Sequence, residues 1–406
     1  LVVNRGRLHP LPAGFVMLAP SSIKSFMQTS LLSLPGRLRA MLDLVLPVRT
    51  STEDESLADF VRRRFGDEVL ERLAQPLVAG IYVGDAEKLS ARSVAARFVT
   101  MERTTGSVIT ALRQERLTAL KNNAKADQVQ KQSESGARYS LFASFDEGMQ
   151  VIVDALVYNL RQSGVELRLG AQVTALEREA DTYRLTVADD QPPVRVTATA
   201  SNTNTASLIL TADQVVLATG SRPAARLTSS VAPHLSEKLS ALTAASSAVV
   251  NFVFARKDIG HPLNSFGVVV PVIEMKKYKL SCLALSFASL KFKRSPEDKI
   301  VIRAFVGGMR DKNILDSDDA KLIDLALSDL RFLVKLCGAP LYARVHRWSE
   351  SMPQYEVGHD VRIETIEQSS VRGLHLCGAY LHGVGLPDCV LAGEKAAAAA
   401  LAQGES

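Results

Sequence analysis

Apolar positions early in the chain recur at helical spacing. Phe26, Met27, Leu31 and Leu34 lie near one face before Pro35-Gly36, and Leu38, Met41, Leu42 and Val45 repeat the spacing before Pro47. Ser56, with Asp59 three residues on, predicts a capped helix start. Leu57, Phe60, Val61 and Phe65 form that helix's stripe and Gly66 its stop, and a second helix follows with Val69, Leu70 and Leu73. Ahead of these helices, Leu1–Val3 and Leu8 flank Asn4-Arg5-Gly6-Arg7, a hairpin pattern in which Asn and Gly supply the turn.

Further on, the period changes. Met149, Ile152, Val153, Leu156 and Leu160 predict a helix over 144–164, and strict alternation predicts a strand over 165–169. Strands are expected at 173–178, 183–187 and 194–198, then a continuous apolar run at 213–219 closed by Gly220. Longer strands follow at 248–254, 266–270, 280–287 and 300–305, then a helix over 318–337 and a strand at 343–348. The chain closes with a strand at 374–377, a Gly-rich turn and an Ala-rich helix over 388–402. Segments 121–135 and 197–207 are polar. The fold class is α/β (α+β), with the 144–220 stretch reading as part of a dinucleotide-binding layout.

Composition narrows the function classes. With 406 residues and 47% apolar content, the chain can build more than one core. A net charge of +5 suits either scattered surface charge or attraction to an anionic surface or acidic ligand. No zinc-finger, RNP or helix-turn-helix pattern points to nucleic acid. The four cysteines, Cys282, Cys337, Cys377 and Cys389, have no C-x-x-C spacing, so neither a disulfide framework nor a metal site is expected. No apolar run reaches transmembrane length. The chain opens without Met, which suggests that it starts inside a longer protein.

The chemistry-bearing candidate is the block from Leu374 to Glu394. A strand delivers Gly378, Gly383 and Gly385 permit close backbone approach, and Pro387 suits the first turn of a helix. The N-terminus of that helix could stabilise negative charge on a ligand. Spacing alone is equally compatible with a plain strand–turn–helix connection. No acid–base pair, metal spacing or nucleophile elbow stands out, and His346, His359, His375 and His382 fit packing or hydrogen-bonding roles. The catalytic residues therefore stay unassigned, as suits chemistry carried by a cofactor.

This block resembles the C-terminal flavin motif of protoporphyrinogen oxidases, a branch of the flavin amine oxidase superfamily. Further blocks match in order: Arg64 to Val69, Pro76 to Asp85 with Lys88-Leu89-Ser90, Phe145 to Met149, Ser265-Phe266-Gly267, Phe305 to Gly308, and Met352 to His359. The resemblance covers essentially the whole chain, with departures. The family's N-terminal G-x-G-x-x-G unit, which holds the FAD pyrophosphate, is absent, so this stretch by itself is expected to hold FAD poorly and to be inactive. Asp146-Glu147-Gly148 stands where the family has paired glycines.

The resemblance implies FAD as cofactor, with Val173 at its adenine end, Trp348 near the flavin, and Gly378, Val384, Gly385 and Leu386 along the ring. It places Gly80, Phe266, Val269 and Phe305 around a tetrapyrrole. Read without it, Val173 is an ordinary strand residue, Trp348 a core residue, and the four pocket residues packing positions. The implied organisation is a helical membrane-binding region over 8–138, a discontinuous, incomplete FAD domain over 139–242 and 370–406, and a mixed-sheet substrate domain over 1–7 and 243–369. The implied reaction is oxidation of protoporphyrinogen IX to protoporphyrin IX, with O2 as acceptor and H2O2 as product. The protein would sit peripherally on a bacterial or organelle membrane, or in the cytoplasm, and a homodimer is compatible with this. The rival substrate is coproporphyrinogen III, whose extra carboxylates would call on cations; Arg256, Lys257, Lys276, Lys277 and Lys279 suit that role and suit solvated surface equally. A non-catalytic tetrapyrrole-binding protein is the rival from another class.

Overall fold

The computed structural model describes residues 1–126, 144–189, 207–292, 294–311 and 313–404. The strand expected at 194–198 and most of the two polar segments lie outside the described residues. Contacts divide the chain into two compact units, Leu1–Gly148 with Ala244–His359, and Met149–Thr243 with Asp360–Ser406.

In chain order the strands are β1 (Val2–Asn4), β2 (Arg7–His9), β3 (Phe15–Val16), β4 (Ala19–Pro20), β5 (Ala171–Glu179), β6 (Thr182–Asp189) and β7 (Ser207–Ala212). They continue as β8 (Val215–Leu217), β9 (Ala244–Ala255), β10 (Gly267–Val269), β11 (Cys282–Phe287), β12 (Lys299–Gly307), β13 (Tyr342–Pro353) and β14 (Leu374–Leu376).

The first unit is built on a seven-stranded sheet of order β13-β9-β12-β11-β10-β1-β2. Its pairings are antiparallel except β1 with β10. The β1–β2 hairpin forms as expected, but Arg5 and Gly6, not Asn4, take the positive φ angles of its turn (52° and 71°). Alternate residues face one side: Ala248, Val250, Phe252 and Phe254 of β9 and Ile300, Ile302, Ala304 and Val306 of β12 are buried. That side is covered by helix Asp319–Val334 through Leu322, Ala326, Leu330 and Val334. Asp318 caps this helix, its side chain accepting from the Lys321 N–H at 2.8 Å.

The helical region belongs to the same unit. Ser56 caps helix Leu57–Phe65 by accepting from the Asp59 N–H at 3.0 Å, and Gly66 ends it with φ 91°. Helix Leu34–Met41 and the turn after it leave Leu34, Leu38, Leu42 and Val45 exposed. Arg37 and Arg39 turn back onto the backbone. Arg37 donates to the carbonyls of Met27 and Ser33, and Arg39 to those of Arg62, Arg63 and Arg64. Among the described residues, no helix is long and apolar enough to cross a membrane.

The second unit holds the antiparallel β5-β6-β7 sheet and the parallel β8-β14 pair. Helices Ser221–Thr228 and Pro233–Ser240 join a core of Leu176, Tyr183, Leu217, Leu235, Leu239, Ile363 and Leu374. The segment 165–169 is not a strand, despite its alternation. It follows the tight end of helix Gln150–Gln162, where Gly164 has φ 79°, and pairs with no neighbour in any described sheet. That helix also leaves Met149, Val153, Leu156 and Leu160 exposed.

Candidate active site

The second face of the seven-stranded sheet carries the candidate ligand surface of the first unit. Register sets its rows, because directly opposed residues share a face. One row runs His346, Val249, Phe305, Ala284, Val269 from β13 to β10. Helix Gln75–Tyr82 packs on the β10–β11 end of the sheet, and a Cβ on Gly80 would stand 3.7 Å from the Val269 side chain. Phe266 precedes β10 and is 38% exposed, and its carbonyl accepts from the Phe287 N–H at 3.0 Å. Gly80, Val269 and Phe305 thus lie on one surface, with Phe266 at its edge.

Trp348 faces the same way, one row over, opposite Ser247. It is 55% exposed, so it is not the core residue that a lone Trp usually becomes. The β13 register slips between Trp348 and Met352, a bulge that ends regular pairing beside it.

Three sequence blocks meet where helix Gln75–Tyr82 ends. The Val83 carbonyl accepts from the Met309 N–H at 3.0 Å, and Gln354 Nε2 donates to the Tyr82 carbonyl at 2.9 Å. Gly308, with φ 90°, must be glycine, since a Cβ there would lie 2.8 Å from the Val83 carbonyl oxygen. The Ser90 N–H donates to the Tyr355 carbonyl at 2.7 Å, and the Tyr355 ring stacks on His359 at 4.1 Å. The motifs at 76–90, 305–308 and 352–359 therefore fix the helix against the sheet.

The cations expected for extra carboxylates are elsewhere. Arg256 donates to the carbonyls of Ile259, His261 and Pro262. Lys276 and Lys277 ride on helix Val272–Tyr278, and Lys279 follows it; Met275 and Tyr278 of this helix pack against the buried cluster behind the sheet. Two cations on the ligand face, Arg303 and Arg344, belong to one row: Arg344, Asn251, Arg303, Ser286. Sequence reasoning missed them. The available signal was a charged residue inside the apolar run Ile300-Val301-Ile302-Arg303-Ala304-Phe305.

In the second unit, β14 runs parallel to β8 and delivers Cys377 and Gly378. A Cβ on Gly378 would lie 3.1 Å from the Thr219 carbonyl and 3.0 Å from the Tyr380 ring. The helix Leu386–Gly404 starts directly after Gly385, and Asp388 reaches back to accept the Gly385 N–H at 3.2 Å. This is one half of a capping box, and it puts a carboxylate at the positive end of the helix. Gly383 cannot carry a side chain without moving Asp388, whose carboxyl carbon would be 2.3 Å from its Cβ. Val384 and Gly385 are half-buried and Leu386 is 60% exposed. Val173 lies in the antiparallel sheet of the same unit, opposite Val187 in the β5–β6 pairing.

Local electrostatics favour neutral groups. Burial pushes the Tyr380 hydroxyl well up, with a smaller contribution from Cys377, and that hydroxyl is buried with no hydrogen-bond partner among the described residues. Burial also raises the Cys377 thiol and lowers His375, whose Nε2 lies 2.8 Å from Gln214 Oε1. An orphaned hydroxyl beside a turn that excludes side chains fits a planar group bound through backbone N–H groups, as a flavin would be. No group of three or more metal-ligating side chains exists among the described residues.

A family model described as flavin containing amine oxidoreductase matches residues 1–401. Coproporphyrinogen III oxidase of Bacillus subtilis (strain 168) is 32% identical over 405 residues, covering 99% of this chain and 78% of that protein. The mitochondrial protoporphyrinogen oxidase of Nicotiana tabacum is 27% identical, over 95% of this chain and 76% of its own length. The crystal structure of a provisionally named protoporphyrinogen oxidase from Exiguobacterium sp. 255-15 superposes with a TM-score of 0.79 at 27% identity, covering 100% of this chain and 80% of that one. The chain belongs to the flavin containing amine oxidoreductase family, with FAD as its cofactor.

Proposed function

We propose that this protein oxidises a porphyrinogen to the porphyrin, and that its substrate is coproporphyrinogen III, with O2 as final acceptor and H2O2 as product. The observation that carries the reading is the Val249, Phe305, Ala284, Val269 row, an apolar strip on one sheet face. A flat macrocycle needs such a wall, and in it Val249 and Ala284 are buried while Val269 and Phe305 stay partly open. Phe266 would close one edge of the strip. Similarity supports the tetracarboxylate substrate: the Bacillus subtilis relative, at 32% identity, bears the coproporphyrinogen name, against 27% for the Nicotiana protein.

FAD, when bound, supplies the acceptor for hydride from the macrocycle's bridging carbons. The chain's own residues bind and orient the ring and keep water from it. On this reading Trp348 borders the reacting end of the strip, and Gly378, Val384, Gly385 and Leu386 hold the flavin ring by backbone contact. Val173 would meet the adenine end.

Peripheral membrane contact is part of the same reading, through exposed Leu34, Leu38, Leu42 and Val45.

The test is porphyrin fluorescence after adding either porphyrinogen to the protein with FAD in excess, which offsets the weak FAD binding expected without the G-x-G-x-x-G unit. Faster formation of coproporphyrin than of protoporphyrin is expected. The reverse preference would transfer the assignment to protoporphyrinogen, and oxidation of neither would remove it.

A further inference from the structure

Arg303 and Arg344 stand on β12 and β13 with Asn251 of β9 between them, one cross-strand row from the apolar strip. Two inter-strand spacings put their backbones about 10 Å apart. Both side chains are exposed on the strip's face, and neither has a carboxylate at ion-pair distance among the described residues. Arg303 lies over the Phe305 ring at 5.4 Å, so its guanidinium reaches along the strip.

Several arginines of the same unit do hold acids. Arg347, three residues beyond Arg344 and on the opposite face, pairs with Asp319 at 2.6 Å and donates to the carbonyls of Leu315 and Ser317. Arg62, Arg63, Arg64, Arg72 and Arg310 likewise hold acids. Like charges sharing one sheet face are unfavourable by themselves. Lys291 adds to the same field: burial first, and then the charge of Arg303, holds its ammonium below the ordinary lysine range.

We infer that Arg303 and Arg344 are the carboxylate anchors of the ligand strip and set its preference for a tetracarboxylate over a dicarboxylate tetrapyrrole. The inference rests on the porphyrinogen reading above. A ring laid on Phe305 and Val269 brings its edge over the arginine row. Coproporphyrinogen presents a propionate on every pyrrole, so it meets both guanidinium groups in any rotation of the ring. Protoporphyrinogen carries propionates on one side only, so most orientations leave an arginine facing vinyl groups, and a cation desolvated without a partner costs affinity. Guanidinium suits this task, since its planar fork matches a carboxylate.

The experiment is a fluorescence-quenching titration of the protein with coproporphyrin III and, separately, protoporphyrin IX. It uses the unsubstituted protein, Arg303→Gln, Arg344→Gln, the double variant, the two Lys variants, and Lys277→Gln as a control. Each Gln variant should weaken coproporphyrin binding roughly tenfold, the scale of one charge-assisted hydrogen bond. Protoporphyrin affinity should change by less, the Lys variants should recover part of the loss, and Lys277→Gln should change neither. Coproporphyrin tetramethyl ester should bind the unsubstituted protein as weakly as coproporphyrin binds the double variant. Unchanged coproporphyrin affinity in the double variant, or an equal loss for both porphyrins, would overturn the inference while leaving the porphyrinogen reading intact. Failure of the unsubstituted protein to bind either porphyrin would instead remove that reading.

Discussion

Arg64 and Asp43 are both withdrawn completely from solvent and are joined by a 2.6 Å ion pair. The guanidinium also donates to the carbonyls of Asp43, Leu46, Pro47 and Gly106, while the other Asp43 oxygen accepts from Ser107 Oγ at 2.6 Å and the Ile109 N–H at 2.9 Å. Each polar atom of the pair is thereby satisfied, and removing one partner leaves a buried charge. Asp43→Ala should destabilise the protein by roughly 3–5 kcal/mol, read from urea unfolding. A loss below about 1 kcal/mol would mean that the pair is not as dry as its geometry indicates.

Acid should loosen the same region. Burial alone would raise Glu102, but hydrogen bonds from Arg63 and the Arg49 N–H, with the charges of Arg63 and Arg64, outweigh it and lower its pKa. A carboxyl lowered on folding contributes stability that is present above its unfolded value and is lost as pH falls through the folded one. Stability should therefore decline below the ordinary glutamate range, and Glu102→Gln should flatten that decline. Equal acid slopes in the two proteins would rule Glu102 out as the source.

Val83 ends helix Gln75–Tyr82 in the left-handed region, with φ 54°. A β-branched residue there is strained, and its carbonyl holds Met309 in place. Val83→Gly should relieve the strain and stabilise the unit by about 1 kcal/mol in thermal unfolding. Destabilisation would show that the Val83 side chain contributes more packing than its backbone costs.

Much of this architecture was legible in the sequence. The Ser56 cap with its Gly66 stop, the long strands from 248 to 305 and the C-terminal strand–turn–helix all announce themselves through local chemistry that does not depend on distant contacts. The segment 165–169 did not follow its alternation, because a strand also needs a neighbour to pair with and none of the described sheets supplies one. The Arg303–Arg344 row depends on the registers of β12 and β13 against β9, which no linear pattern reveals. For the same reason the linear sequence left the lysines near 276 open between carboxylate partners and solvated surface; their helix packs behind the sheet.

Thiol accessibility follows burial. Burial, reinforced by Asp329, pushes the Cys282 thiol well up, whereas Cys337 is exposed. Native protein should lose Cys337 first to a thiol-specific reagent, and Cys282 should react only after unfolding. Rapid labelling of Cys282 in the native state, located by peptide mapping, would show that the sheet opens locally.

The turn after β14 should be intolerant of side chains. Gly378→Ala would set a Cβ 3.1 Å from the Thr219 carbonyl, and an overpacked backbone of this kind costs roughly 1–3 kcal/mol. Flavin affinity, read from the change in flavin absorbance as FAD is titrated in, should fall in that variant. Unaltered affinity would separate Gly378 from the cofactor.

The most direct test of the account is the ratio of kcat/KM for coproporphyrinogen III and protoporphyrinogen IX, with FAD supplied to the protein. With FAD in excess to offset its weak binding, oxidation of both is expected, with a ratio in favour of coproporphyrinogen and a drop in that ratio on changing Arg303 and Arg344 to Gln. A ratio in favour of protoporphyrinogen, or one that the arginine variants do not move, would contradict it.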